Sequence, residues 1–134
     1  MRFHASPVFL INEEAIEQDE TKTGAWVKMK VGESFNILWK MTSDASPSIT
    51  IDCDVTPFDP DTYVNTVHDP NSTTYTNYRR ITLGSGLTTQ DALQHIDTPA
   101  EMLYPFVAAR LVVTEANVGA ITTFSGLFCT NVVG

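Results

Sequence analysis

The 134-residue chain contains no run of about 18 apolar residues, the length a membrane-crossing helix needs, so no span is expected. Its earliest apolar stretch, "VFLI" at Val8 to Ile11, is four residues long. A secretory leader needs an apolar stretch of about 7–15 residues, so folding in a cytoplasm is expected. Cysteine is scarce. Cys53 and Cys129 form no CxxC and stand beside no histidine cluster, which excludes the usual zinc sites. Without secretion the expectation is two reduced thiols at strand positions that could face a core. Histidine is equally sparse: His4, His68 and His95 lie far apart and make no HExxH. There is no GxSxG, no Ser or Cys set beside a His, and no glycine-rich phosphate loop. No catalytic residue, enzyme activity or cofactor is expected. Basic residues are few, 8 against 16 acids, and the net charge of −8 would repel nucleic-acid phosphates and anionic membranes. It leaves docking onto a basic or neutral protein surface open.

What the chain does have is alternation. In "SITIDCDVT", Ser48 to Thr56, Ile49, Ile51, Cys53 and Val55 share one parity, and Thr50, Asp52, Asp54 and Thr56 the other. That is a strand with one face on a core and one in water. "AWVKMKV" and "FNILWKM" alternate similarly around Gly32–Ser34 and predict a hairpin. Lys28, Lys30 and Lys40 then fall on the face opposite its apolar parity. "YRRITLG", "FVAARLVVTE" and "ITTFSGLFCTNVV" predict further strands, and Gly126 in the last predicts a bulge or a close approach. "TTQDALQHI" predicts the single helix, with Thr88 as N-cap and Asp91 at its third position. Glu13 to Lys22 carries five acids between Glu13 and Glu20 and reads as a solvated loop, with a short helical turn as the rival. Phe58 to Asn77 reads as a long irregular excursion, a place where function often lies. The expectation is therefore all-β: an antiparallel β-sandwich, jelly-roll or Ig-like, with at most one short helix. Residues 1–24 form an N-terminal arm and acidic loop, and 25–134 the sandwich domain.

Two groups invite a functional reading. Asp52, Asp54, Asp59 and Asp61 put four carboxylates within ten residues, and oxygen ligands of this kind suit Ca²⁺. The run lacks the glycine and closing glutamate of an EF-hand loop, so a solvated strand face running into a polar turn is the leading reading. A glycosidase pair has no further support. Trp26 lies opposite the Val27 parity, while Tyr63, Tyr75 and Tyr78 lie in or beside the long loop. Such aromatics suit protein contact ahead of sugar stacking, or the cover of a second core face. "NST" at Asn71 matches a glycosylation sequon that matters only with secretion. Arg110 interrupts an apolar strand and is expected to pair with a carboxylate.

The order of these segments is that of "GAWVKMKVGESFNILWKMTSD", then "PSITIDCDVT", a variable loop, and "YPFVAARLVVTEANVGAITTFSGLFCTNVV". It resembles the small β-sandwich virion structural proteins of tailed phages. The elements that carry the likeness are Trp39, Tyr104–Pro105–Phe106, Arg110 and the tail from Ile121. The resemblance implies a capsid decoration or cement protein, or a neck or tail accessory piece. Such a bacteriophage protein assembles in the host cytoplasm, resides in the virion and forms a homo-oligomer, with a homotrimer favoured. Its partners would be capsid proteins, without nucleic acid or membrane. Apolar anchors would carry the binding: Phe3, Phe9 and Leu10 in the arm, Trp26, and Phe58 and Tyr63 in the loop. The rival function is a carbohydrate-binding module, calcium-assisted through the four aspartates.

Overall fold

A strand exposes backbone donors and acceptors along both edges, and burying them unpaired is costly. In the computed structural model, which describes residues 3–17, 20–28, 35–59, 78–97, 107–117 and 119–133, these edges are matched in a nested order. The strands are β1 (Phe3–Glu17), β2 (Thr21–Thr23), β3 (Val27–Lys28), β4 (Phe35–Ser43), β5 (Ile49–Thr56), β6 (Arg79–Leu87), β7 (Gln94–Asp97), β8 (Ala108–Glu115) and β9 (Ile121–Val133). All pairings are antiparallel: β1 with β9, β2 and β3 with β8, β4 with β7, β5 with β6. Counting β2 and β3 as one interrupted strand, this is a single long hairpin of eight strands. Rolling it up adds the β4–β9 and β5–β8 pairings. The result is two sheets, β1-β9-β4-β7 and β2-β8-β5-β6, with β3 also on β8. That is the jelly-roll form of the β-sandwich, which decides between the two arrangements left open by the sequence.

The alternation fills the space between the sheets. From the first sheet come Ile37, Trp39, Met41, Phe124 and Phe128; from the second, Ile49, Ile51, Cys53, Val55, Leu111 and Val113; all are buried. Each large side chain withdrawn from water contributes about 1.5–3 kcal/mol. Trp39 stacks on Phe124, with ring centroids 6.1 Å apart and planes 13° from parallel. Gly126 is where the layers come closest. A Cβ there would lie 2.7 Å from Leu111 Cδ2 and 2.9 Å from Phe124 Cε1. The β1–β9 register also slips beside it, with Phe9 opposite Leu127 and Ile11 opposite Gly126. Of the two alternatives expected at this glycine, the close approach is the one present; the extra residue of the slip, Leu10, lies in β1 opposite.

One end of the sandwich is tied by a single buried carboxylate. Glu115 Oε1 accepts from the backbone N–H of Ser48 (2.8 Å) and of Asn117 (2.9 Å), and Oε2 accepts from the Thr122 hydroxyl (2.6 Å). Asn117 Nδ2 donates in turn to the Ser46 carbonyl. This joins the β4–β5 turn, the β8–β9 turn and both sheets.

Three expectations are corrected. The helix over Thr88 to Ile96 is absent. Gln94–Asp97 is β7, and the preceding loop lies along β4. There Asp91 N–H donates to the Met41 carbonyl (2.9 Å), the Thr42 hydroxyl donates to Asp91 Oδ1 (2.7 Å), and Ser43 N–H donates to Gln90 Oε1 (2.8 Å). A nine-residue helix is marginal alone, and pairing with β4 offers these residues more. The hairpin between the Trp26 and Phe35 segments does not form either. β9 and β7 occupy both edges of β4, while β3 joins the other sheet on β8. Lys28 and Lys40 consequently lie on different sheets, and residues 29–34 are outside the described ones. The acidic segment, finally, is largely strand: Glu14 to Glu17 pairs with Phe124 to Ile121, and Lys22 lies in β2. β9 is long and needs a partner along its whole edge, so residues expected as an arm, from Phe3 to Ile11, are paired with it as well.

Because the space beside Gly126 is already filled, Gly126→Ala forces Leu111 or Phe124 to move. The expected loss is about 1–3 kcal/mol in urea unfolding at unchanged slope. An unaltered midpoint would contradict the close approach.

Candidate functional site

The outward face of the second sheet was expected to be solvated, and at its centre it is not. Asp54 and Thr56 of β5, and Ala108, Arg110 and Val112 of β8, point away from the core by strand parity, yet all are at most 2% exposed. Register explains how the charges are accommodated. Asp54 lies opposite Arg80 of β6 on one side and Arg110 of β8 on the other, so Arg80, Asp54 and Arg110 form one cross-strand row. Arg80 grips the carboxylate with two prongs, Nε to Oδ1 at 2.7 Å and Nη2 to Oδ2 at 2.9 Å. Arg110 Nε donates to Oδ2 at 2.8 Å. The planar guanidinium fork suits this geometry, which a lysine could not reproduce.

Aromatic rings close over the row. The Arg110 guanidinium carbon lies 4.6 Å from the Trp26 ring centre and 5.0 Å from that of Tyr78, and that of Arg80 lies 6.0 Å from Tyr78. Trp26 and Tyr78 meet edge to face, 6.0 Å apart at 71°. Two guanidinium groups and one carboxylate leave one net positive charge, which the ring faces attract. The pairing expected for Arg110 is therefore present, and Trp26 is half-buried against it. Cys53, beside this row on the core-facing side, is a buried free thiol, so it is not bridged to Cys129. Burial above all, then the Asp54 and Asp52 carboxylates, push that thiol well above its ordinary range.

The remaining aspartates do not gather around a common point. Asp52 accepts from the Thr82 hydroxyl at 2.7 Å, Asp59 forms an exposed ion pair with Lys28 at 3.3 Å, and Asp61 lies outside the described residues. Among the described residues, no group of three or more His, Cys, Asp or Glu could hold a metal ion. His4 sits opposite Val132 on β1 and His95 opposite Leu38 on β7, while His68 is outside the described residues. Of the interface candidates, Phe3 and Phe9 pair with Val133 and Leu127, and Leu10 falls at the register slip. Phe58 is half-buried, its N–H donating to Thr56 Oγ1 at 3.2 Å. Tyr63 is outside the described residues. The buried charge row was missed because Asp54 looked like one more polar outward residue. The signal was in β8: "AARLVV" does not alternate, the mark of a strand covered on both faces.

The first sheet's outer face is different. Leu38 and Leu127 stand opposite each other and half-buried, with His95 next in the row. Lys40 is opposite Ser125 and exposed, and a shallow hollow of about 170 Å³ lies among Lys40, Met41, Thr42, Thr123 and Ser125. No helix among the described residues is long and apolar enough to cross a membrane.

No family model matches the sequence, and no curated protein matches it. Solved structures do. Infectious bursal virus-derived T=1 particles contain a chain 11% identical with a TM-score of 0.59, the match covering 99% of this chain and 32% of that one. The VP2 subviral particle of infectious bursal disease virus matches at 15% identity and a TM-score of 0.57, over 99% of this chain and 33% of the other. The chain thus spans about a third of the length of those proteins. At such identity the likeness is one of fold.

Removing the Asp54 carboxylate strands Arg110 in a dry environment. Asp54→Ala should cost about 3–5 kcal/mol in chemical unfolding, because the cost of an uncompensated buried charge dominates; a loss below about 1 kcal/mol would mean the row is hydrated. For Cys53 the sign is equally definite. The folded state holds the proton that the unfolded thiol releases near pH ~8.5, so this group's contribution is complete below that pH and declines above it. In a Cys129→Ser variant, labelling of Cys53 at pH 9 should proceed only as fast as the protein opens, and labelling at the rate of a free thiol would refute the burial.

Proposed function

We propose that this chain is a non-enzymatic structural protein of a virus particle, and that it acts as a decoration or cement protein binding across capsid subunits. The observation that carries the reading is the nested eight-strand roll, shared over 99% of the chain with proteins solved as T=1 and subviral particles. The sequence resemblance supports a tailed-phage virion and a homo-oligomer, with a trimer as the favoured ring. The chemistry agrees. The most strongly buried charges are consumed in holding the fold: Asp54 by two arginines and Glu115 by two backbone N–H groups and a hydroxyl. A carboxylate already accepting such bonds is a poor general base. Burying area at a joint between subunits requires only a stable body with apolar anchors. Phe3, Phe9, Leu10, Trp26, Phe58 and Tyr63 remain the anchors proposed, with the first three carried on the β1 edge and not on a free arm.

Jelly rolls also serve as lectins, so sugar binding is the reading to test against. The Arg110 guanidinium lies over both Trp26 and Tyr78, which removes ring area a sugar would stack on.

The decisive measurement is the protein content of gradient-purified particles from a producing culture, followed by electron microscopy. The chain should band with the particles in fixed proportion to the major shell protein and appear as density over subunit joints. Its absence from the band would reject the particle role. Specific binding on a glycan array that a chelator abolishes would replace it with the calcium-assisted lectin.

A further inference from the structure

The two outer faces of the sandwich are treated unequally. The centre of the second sheet's face is covered by the chain's own Arg110, Trp26 and Tyr78. The first sheet's face carries the large hydrophobics most exposed among the described residues, Leu93 at 67% beside it and Ile121 at 47% upon it. Leu93 is not displayed by accident of a loose loop. Its loop is fastened to β4 by the three hydrogen bonds at Gln90 and Asp91, and Asp91 is held at φ 59°, the left-handed region that non-glycine residues seldom occupy.

The charges on this face lie at opposite ends of its rows, an order that a second copy with reversed strands would complement. Three successive outward rows cross the β4–β7 half of the sheet. The first contains Asn36 and Asp97, the second Leu38 and His95, and the third Lys40, with Leu93 just before β7. Lys40 has no carboxylate within ion-pair distance among the described residues, while Lys22, Lys28, Arg80 and Arg110 each have one. We propose that this face is a twofold contact between two copies of the chain, in which Lys40 of each copy meets Asp97 of the other. A twofold axis crossing the strands at the Leu38 row turns the third row onto the first. Lys40 then lies over the second copy's Asn36, one strand spacing of about 4.8 Å from its Asp97, within a lysine's reach. Leu38, Leu127 and His95, which share that row, each meet their own counterparts. An in-plane twofold running along β4 would instead set Lys40 against Lys40, and like charges across an interface reject a partner. The contact is isologous, as closed dimers require.

Its size sets its strength. Four strands at about 4.8 Å and roughly nine residues at 3.4 Å give a footprint near 20 by 30 Å, or about 600 Å² per copy. A standard stable interface buries about 800 Å² per partner, so this contact is weak and depends on concentration. It does not rest on the particle role, and it is compatible with a ring formed through other surfaces.

Light scattering on the full chain across a concentration series tests it. The mass of the smallest species should double as concentration rises. Lys40→Glu and Asp97→Lys should each raise the dissociation constant roughly tenfold, since symmetry counts each change twice. The double variant should return to within about threefold of the parent. Both residues are exposed, so the variants keep the fold, which far-ultraviolet dichroism and melting will verify. A mass that never doubles, or a double variant no better than the singles, overturns the contact.

Discussion

The structure depends on a constraint of edges. A strand can be paired on two sides, and the four central strands of this molecule, β4, β9, β5 and β8, have both sides taken. Once β9 lies between β1 and β4, and β8 carries both β5 and the short β2 and β3, little freedom remains. The Trp26 segment cannot pair with β4, because β7 is there. The acidic segment cannot stay in water, because the far end of β9 would then lack its neighbour. Local sequence preferences yield to this requirement wherever the two conflict, as they do in the stretch from Thr88 to Ile96.

That conflict marks the boundary of what the sequence made legible. β5, β8 and β9 were readable to within about two residues of their ends, because each has its own alternation and its own turn residues, while β6 runs on past the Gly84 that was expected to close it, to Leu87. So was the two-layer architecture, and so were the close approach at Gly126 and the engagement of Arg110. What could not be read was set by distant partners. Asp54 looks like Asp52 in the sequence, two residues along on the same face. One accepts a bond from Thr82 at the half-exposed part of the strand, and the other is enclosed by arginines contributed 26 and 56 positions later. Glu115 gave no signal at all: a lone acid at the end of an apolar strand is ordinarily solvated. Its role depends on two turns and a neighbouring strand converging on it.

The buried charges and the open face are two sides of one distribution. In a chain with twice as many acids as bases, the scarce guanidinium groups of Arg80 and Arg110 are committed to the interior of one outer layer. That commitment covers the centre of the second sheet, and shearing its salt-bridged row under the aromatic rings would break several bonds together. Cross-strand contacts are formed by the protein with itself on that side. The opposite layer keeps small hydroxyl side chains, half-buried leucines and, at Lys40, a charge with no ion pair among the described residues.

The nested pairing also has a consequence in time. β1, the first of these nine strands in chain order, has β9, the ninth, as its partner, with Phe3 set against Val133. Glu115 likewise waits for Thr122 although Ser48, 67 positions earlier, has long been made. Closing such remote contacts is slow. Until β9 lies between them, β1 and β4 each present an open strand edge with which another strand could pair.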